Sequence, residues 1–419
     1  MSISLGPYSS WDAQLEFAAA ANVVQWGFPY TTYGHLINMQ PLGLYIDALF
    51  LSIFGISYET AVAVTTVFAL GCVLLTYKLG ALLYGKRTGL FAAALFALTP
   101  WQLILSRVFL VDVQCLFFSL LFLLIGLLAI KKNSLKLFFV AGVFFGFALL
   151  TKLFAIFMLI PLSLIYVYKR PKNSKSFFIG IILFFLPAFL IQYLWYEPIS
   201  GRGLLSLFNH DDFTNYLPDD FAPSPFFSLS FLSESLGAFF VLGYLFSILV
   251  SFFQRKQFRS LFVFDLTCFA TVIGVLGFNE YLVFGYNMLV PYVNSIKYNY
   301  LLLPLFCLLA ASAAKKCSIL SRTKRESAKD REIVVYLAAI GPYLLLVSMI
   351  FNFFSLTTLL KYDWLTFNVF GGLSYSFDRL SPILSSGRLW ALQLLGFVII
   401  QLSLLWTNRK KIESLFASL

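Results

Sequence analysis

Apolar runs long enough to cross a bilayer recur from Tyr58 to Trp406, and lysines and arginines collect in every second gap between them. The runs fall at 58–84, 89–105, 113–130, 137–151, 153–168, 177–196, 236–253, 260–277, 300–314, 333–351 and 388–406. A hydrocarbon core about 30 Å thick needs roughly 20 apolar residues in a helix. Inside it every backbone N–H and C=O must be paired within the spanning structure. These runs therefore predict an all-α chain, a polytopic integral membrane bundle of about eleven crossings.

The charge pattern orients that bundle. The net charge is +11, and 22 of the 30 basic residues sit in six clusters: 86–87, 131–136, 169–175, 255–259, 315–331 and 409–411. Alternating the crossings brings all six to the cytoplasmic side, as the positive-inside rule requires. The positive charge is thus accounted for by topology, and a nucleic-acid partner is not expected. The same alternation leaves 1–57, 106–112, 197–235, 278–299 and 352–387 outside.

Residues 41–55 (PLGLYIDALFLSIFG) are apolar as well, but counting them as a crossing would turn every basic cluster outward. The segment is short and carries Asp47, so a helix lying on the outer surface is expected. With 58–84 running inward, residue 1 lies outside with no signal sequence ahead of it, and a twelfth helix upstream is predicted. The division follows: 1–57 is an outer first loop with juxtamembrane helices, and 58–419 is the multi-pass domain.

With 60% hydrophobic and 12% charged residues, against about 25% charged in a soluble domain, no soluble catalytic appendage is expected. The five cysteines show no CxxC spacing, and two histidines are too few for a His-rich metal centre.

Chemistry is expected where a carboxylate is fixed at the membrane rim. From Trp11 to Gln25 the chain is helix-prone, and Gly27 and Pro29 stop it. Asp12 and Glu16 are four apart and share a face of that helix. Ser9-x-x-Asp12 also fits a capping box, in which the acid only satisfies a backbone donor. Arg107, Lys152 and Lys297 stand at outer helix ends, where a cation in the bilayer costs about 2.5–3.5 kcal/mol even on a lenient scale. Snorkelling, a structural ion pair between Arg107 and Asp112, and an anionic ligand are all open explanations.

The run from Trp11-Asp12 through Ala18–Asn22, Gly27-Phe28-Pro29-Tyr30 and Gln40-Pro41-Leu42 to Phe54-Gly55 resembles the first outer loop of one transferase family. That family is the dolichyl-phosphate-mannose–protein mannosyltransferases, with the bacterial lipid A aminoarabinose transferases, which are GT-C fold enzymes using polyprenyl-phosphate sugars. The resemblance continues through Leu79-Gly80, Tyr84-Gly85-Lys86-Arg87, Leu98-Thr99-Pro100, Ser106-Arg107, Asp112, Gly142 with Gly146, and Leu150-Thr151-Lys152. It is fainter at Lys297-Tyr298-Asn299-Tyr300 and Pro304. It covers the first 200 residues or so well and the remainder by topology. The chain departs from the family at Ala13, where a second acid is usual, and at Gln40, where a basic residue often precedes the proline.

The resemblance implies a membrane glycosyltransferase of the plasma membrane, working on its extracytoplasmic face. Asp12 would be the general base that takes a proton from the acceptor hydroxyl. Glu16, Arg107, Asp112, Lys152, Lys297 and Tyr298 would contact substrate, the cations offsetting charge on the departing polyprenyl phosphate. The implied partners are the polyprenyl-phosphate sugar donor, a protein, lipid or glycan acceptor, and membrane lipids. No cofactor is firmly implied; Asn209-His210-Asp211-Asp212 has residue types that could hold a divalent metal. A transporter or lipid flippase would instead need charges at mid-membrane, and only Asp265 lies inside an apolar run in that way. A non-catalytic scaffold of the same fold is the third alternative.

Overall fold

Ser57 sets the start of the first long helix by accepting a hydrogen bond from the backbone N–H of Thr60 at 3.1 Å. Glu59 in the first turn faces the positive end of the helix dipole. The computed structural model of the chain describes residues 11–30, 41–99, 102, 105–169, 174–199, 259–286 and 300–320. The elements among them are helical: α1 (Trp11–Trp26), α2 (Leu42–Phe54), α3 (Tyr58–Tyr84), α4 (Lys86–Leu98), α5 (Val111–Lys132) and α6 (Leu135–Thr151). A 3-10 segment (Leu153–Met158) then leads into α7 (Leu159–Tyr168). Next come α8 (Ser174–Leu194) with a π turn (Trp195–Ile199), α9 (Arg259–Tyr286), and α10 (Leu303–Leu320) behind a 3-10 turn (Tyr300–Leu302).

Turn chemistry reverses the chain at each rim. Gly85, at φ +99, takes a conformation L side chains rarely adopt and separates α3 from α4. Asn133 enters the left-handed region at φ 49 after Lys131 and Lys132 close α5. Ser134 then accepts the N–H of Leu137 and starts α6. Small residues decide which helices touch. Gly142 and Gly146 lie one turn apart on α6, and a Cβ on Gly142 would stand 2.0 Å from the Phe184 carbonyl oxygen of α8. Close backbone approach through small residues is the usual way helices associate in lipid. The contact is latched by Gln192, whose Nε2 donates to the Gly146 carbonyl at 2.9 Å.

One buried core runs through α3 to α10, filled largely by Phe and Leu; Phe122, Phe145 and Phe184 pack their rings together within it. A second cluster joins Ala19 and Ala20 of α1 to Leu44 and Leu51 of α2, to Tyr58, Ala61 and Val62 of α3, and to Phe109 and Val111. It seats α1 and α2 on the start of α3 and on the entry to α5.

Three helices among the described residues are long and apolar enough to cross a membrane: Tyr58–Tyr84, Val111–Lys132 and Lys175–Ile199. The expected crossings at 137–151, 153–168, 260–277 and 300–314 coincide with shorter apolar helices, and that at 89–105 overlaps α4. Those at 236–253, 333–351 and 388–406 lie outside the described residues. The segment 41–55, expected as a surface helix, forms the helix α2; its 13 residues make about 20 Å, short of a bilayer core.

Asp265, read from sequence as a charge within a crossing, sits six residues from the start of α9, about 9 Å in. Tyr84 donates its hydroxyl to Asp265 Oδ1 at 2.9 Å and Ser312 donates to Oδ2 at 3.1 Å. Lys315 Nζ donates to the Tyr84 carbonyl beside them. This fully paired carboxylate therefore belongs to the basic rim, where α3, α9 and α10 meet. Asp112 stands at the other end of the bundle, since the 20 residues from Asp112 to Lys132 on α5 span about 30 Å.

Candidate active site

The entry of α5 has no side-chain cap of its own, because its N-cap residue is Leu110. Such a terminus presents unsatisfied N–H groups and a partial positive charge. Glu16 of α1 supplies what is missing: its Oε2 accepts the Val111 N–H at 3.1 Å, 95 residues along the chain. Asp112 adds a second carboxylate in the same first turn.

Three further side chains converge there. Lys152, where α6 breaks into extended backbone, donates from Nζ to Asp112 Oδ1 at 2.7 Å. Cys115 holds that break in place with its thiol against the Lys152 carbonyl at 3.7 Å. Gln114 donates from Nε2 to Asp47 Oδ1 at 2.6 Å, tying α2 to α5. Gly43 makes room for this contact, since a Cβ there would stand 2.7 Å from Gln114 Oε1. Asp47 and Gln114 are wholly buried, and Asp112 is 4% exposed. Asp47 Oδ2, Asp112 Oδ2 and Gln114 Oε1 are buried with no hydrogen-bond partner among the described residues.

Three carboxylates around one ammonium cannot all carry charge cheaply in so dry a place. Desolvation pushes the Glu16 carboxyl up to about 8, reinforced by the neighbouring charge of Asp112 and, more weakly, Asp47. Lys152 and the Val111 N–H pull it the other way. Burial also raises the Asp47 carboxyl well above its ordinary range, against the hydrogen bond from Gln114. At neutral pH the upward push favours the protonated form of Glu16.

The site residues expected from sequence fall as follows. Asp12 is the second residue of α1, four residues before Glu16. Arg107 is half-buried in the turn that leads to α5. Asp112, which the sequence offered as a partner for Arg107, is paired with Lys152. Lys297, Tyr298, His210, Asp211 and Asp212 lie outside the described residues. Tyr300, the last residue of the Lys297–Tyr300 run, is buried and donates its hydroxyl to Gln102 Oε1. Gln102 Nε2 in turn reaches the Ala69 carbonyl of α3 at 3.3 Å.

Asp47 and Gln114 were missed by sequence reasoning. The signal was present: a lone carboxylate in an otherwise apolar 13-residue helix, and an amide two residues after Asp112. Ala13 is 0% exposed in the main core. Among the described residues no group of three His, Cys, Asp or Glu side chains is placed to hold a metal ion.

Residues 38–195 match the family model of the dolichyl-phosphate-mannose-protein mannosyltransferases. The chain is similar in structure to ArnT from Cupriavidus metallidurans, both in its apo state and bound to undecaprenyl phosphate. Each comparison gives a TM-score of 0.52 at 12% identity, over 96% of this chain and 73% of ArnT. The chain has the GT-C fold. An oligosaccharyltransferase from Archaeoglobus fulgidus, in complex with Zn and sulfate, aligns more loosely, with a TM-score of 0.41 at 17% identity over 96% of this chain and 51% of that one. No curated protein matches this GT-C chain by sequence. The stretch matched by the family model contains Asp47, Arg107, Asp112, Gln114 and Lys152, while Asp12 and Glu16 precede it.

Proposed function

We propose that this GT-C chain is a glycosyltransferase that moves a sugar from a polyprenyl-phosphate donor to an acceptor hydroxyl. The reaction takes place on the extracytoplasmic face of the plasma membrane, with Asp12 as general base. The observation that carries this reading is the acid cluster at the entry of α5. Glu16, one turn from Asp12, is anchored to the same helix end as the Asp112–Lys152 pair. Support for the donor comes from the undecaprenyl phosphate bound by ArnT.

The chemistry divides among these groups. A polyprenyl phosphate is a good leaving group and needs no acid. Asp12 takes the acceptor's proton as the oxygen attacks the anomeric carbon, and the phosphate departs with the electron pair of the broken C–O bond. Lys152, held by Asp112, faces the growing phosphate charge, joined by Arg107 and Lys297. Protonated Glu16 and the acceptor atom Asp112 Oδ2 hold sugar hydroxyls, and Tyr298 lies beside Lys297 at the membrane level. The first loop, 1–57, thus brings the base, and 58–419 brings the phosphate site.

One observation favours a second assignment within the same reaction. A base works best with a pKa near the operating pH, and Glu16 is pushed to about 8. The test is release of lipid phosphate from radiolabelled polyprenyl-phosphate sugars by the purified chain. Asp12→Asn abolishes turnover with folding intact; wild-type turnover in that variant ends the proposal. If Glu16 is the base, Asp12→Asn retains activity and the rate of the unsubstituted chain rises through about pH 8 rather than in the acid range.

A further inference from the structure

Far from the acid cluster, α3 and α4 cross tightly at one point and leave a groove beside it. The crossing is made by two glycines: a Cβ on Gly89 would stand 2.6 Å from the Tyr77 carbonyl oxygen, and one on Gly80 would stand 2.7 Å from the Gly89 Cα. Away from it the groove is lined by Leu70, Val73, Leu74 and Tyr77 of α3 and by Leu90 and Ala93 of α4, with a volume of about 500 Å3. Leu70, Leu74 and Leu90 are 66%, 56% and 65% exposed, so the groove opens toward lipid. Lys86 and Arg87 close its rim end, and among the described residues no acidic side chain lines it.

We propose that this groove binds one anionic phospholipid of the leaflet that bathes the basic ends of the bundle. An acyl chain lies along the leucines, and the headgroup phosphate sits between Lys86 and Arg87. Two features select that occupant. From Leu70 to Tyr77 the wall runs about 10 Å along α3 with three aliphatic side chains and the Tyr77 ring, which suits a hydrocarbon chain better than a polar ligand. Arg87 offers a planar fork that matches a phosphate, and Lys86 offers a second cation. A headgroup with net negative charge is retained, while a zwitterionic one brings its own cation against these two. The site is independent of the glycosyl-transfer reading, since α1 and α2 pack on the start of α3 whereas the groove runs from its middle toward its other end.

The test uses the full chain in phosphatidylcholine vesicles, with Val67→Trp as reporter. Val67 is 65% exposed one turn beyond Leu70 and does not line the groove. Quenching is measured as the difference from the chain lacking this substitution, using phosphatidylglycerol or phosphatidylcholine with brominated acyl chains. The brominated phosphatidylglycerol is preferred roughly thirtyfold, given about 1 kcal/mol for each of the two basic residues at a membrane surface. The preference disappears in Lys86→Gln/Arg87→Gln and shrinks with added salt in the unsubstituted rim. Equal quenching by the two lipids overturns the proposal, as does a preference that survives both charge removal and salt. Displacement of the brominated lipid by stoichiometric undecaprenyl phosphate reassigns the groove to a donor tail and also overturns it.

Discussion

Lys152 Nζ lies 2.7 Å from Asp112 Oδ1 and so joins the end of α6 to the first turn of α5 across 40 residues. Removing one partner of a buried pair leaves the other charge stranded. Lys152 keeps 24% of its side chain exposed, so Lys152→Met is expected to cost about 2 kcal/mol, below the 3–5 kcal/mol of a fully enclosed pair. Asp112→Asn/Lys152→Met restores most of that stability, because no charge is left unpaired, yet turnover stays lost. Thermal unfolding in micelles, read beside lipid-phosphate release, separates the two effects.

Glu16 gives the fold a pH dependence of definite sign. Its carboxyl goes from an ordinary 4.5 to about 8 in the folded chain. Between those values the folded state holds a proton that the unfolded chain has released, so stability falls as pH rises through this window. The contribution is intact below pH 4.5 and fully lost above pH 8. In Glu16→Gln this slope vanishes, and the variant gains on the unsubstituted chain between pH 6 and pH 8.5, about the middle and top of the window. Melting temperatures across that range are the check; parallel curves for the two proteins would refute it.

The helical, membrane-spanning character of the chain was legible because one-dimensional signals set it: apolar length and basic rims. Asp112 and Lys152 were legible as charges at helix ends, but their pairing was not. It depends on α5 and α6 packing antiparallel, which brings residues 40 apart into contact. Asp47 was hidden by its surroundings. In an apolar surface helix a carboxylate reads as the face turned to water, whereas the Gly43 contact with Val111 and Gln114 rolls that face against α5. Glu16 was legible as a helix carboxylate, but its role as a cap for a helix 95 residues away follows only from the fold.

The Gly142–Phe184 contact should tolerate no side chain. With a Cβ 2.0 Å from a backbone carbonyl oxygen, Gly142→Ala forces α6 and α8 apart, whereas Gly277 has nothing within 4 Å of the same position. Overpacking of this kind costs about 1–3 kcal/mol, while Gly277→Ala should be neutral or gain from better helix propensity by up to about 1 kcal/mol. Comparing the thermal midpoints of the two alanine variants isolates the packing effect from the shared change in propensity.

Tyr84→Phe tests whether the polar cluster at the basic rim is purely structural. The substitution removes the hydroxyl that donates to Asp265 Oδ1 at 2.9 Å and leaves Ser312 alone on the other oxygen. A hydrogen bond to a charged group contributes about 1.5–3 kcal/mol. The thermal midpoint should therefore drop clearly. Turnover per folded molecule should not, because Asp265 and the Asp112 cluster sit at opposite ends of helices about 30 Å long. A variant that melted normally but lost lipid-phosphate release would show that the two rims communicate, and would place Asp265 in the catalytic cycle rather than in the scaffold.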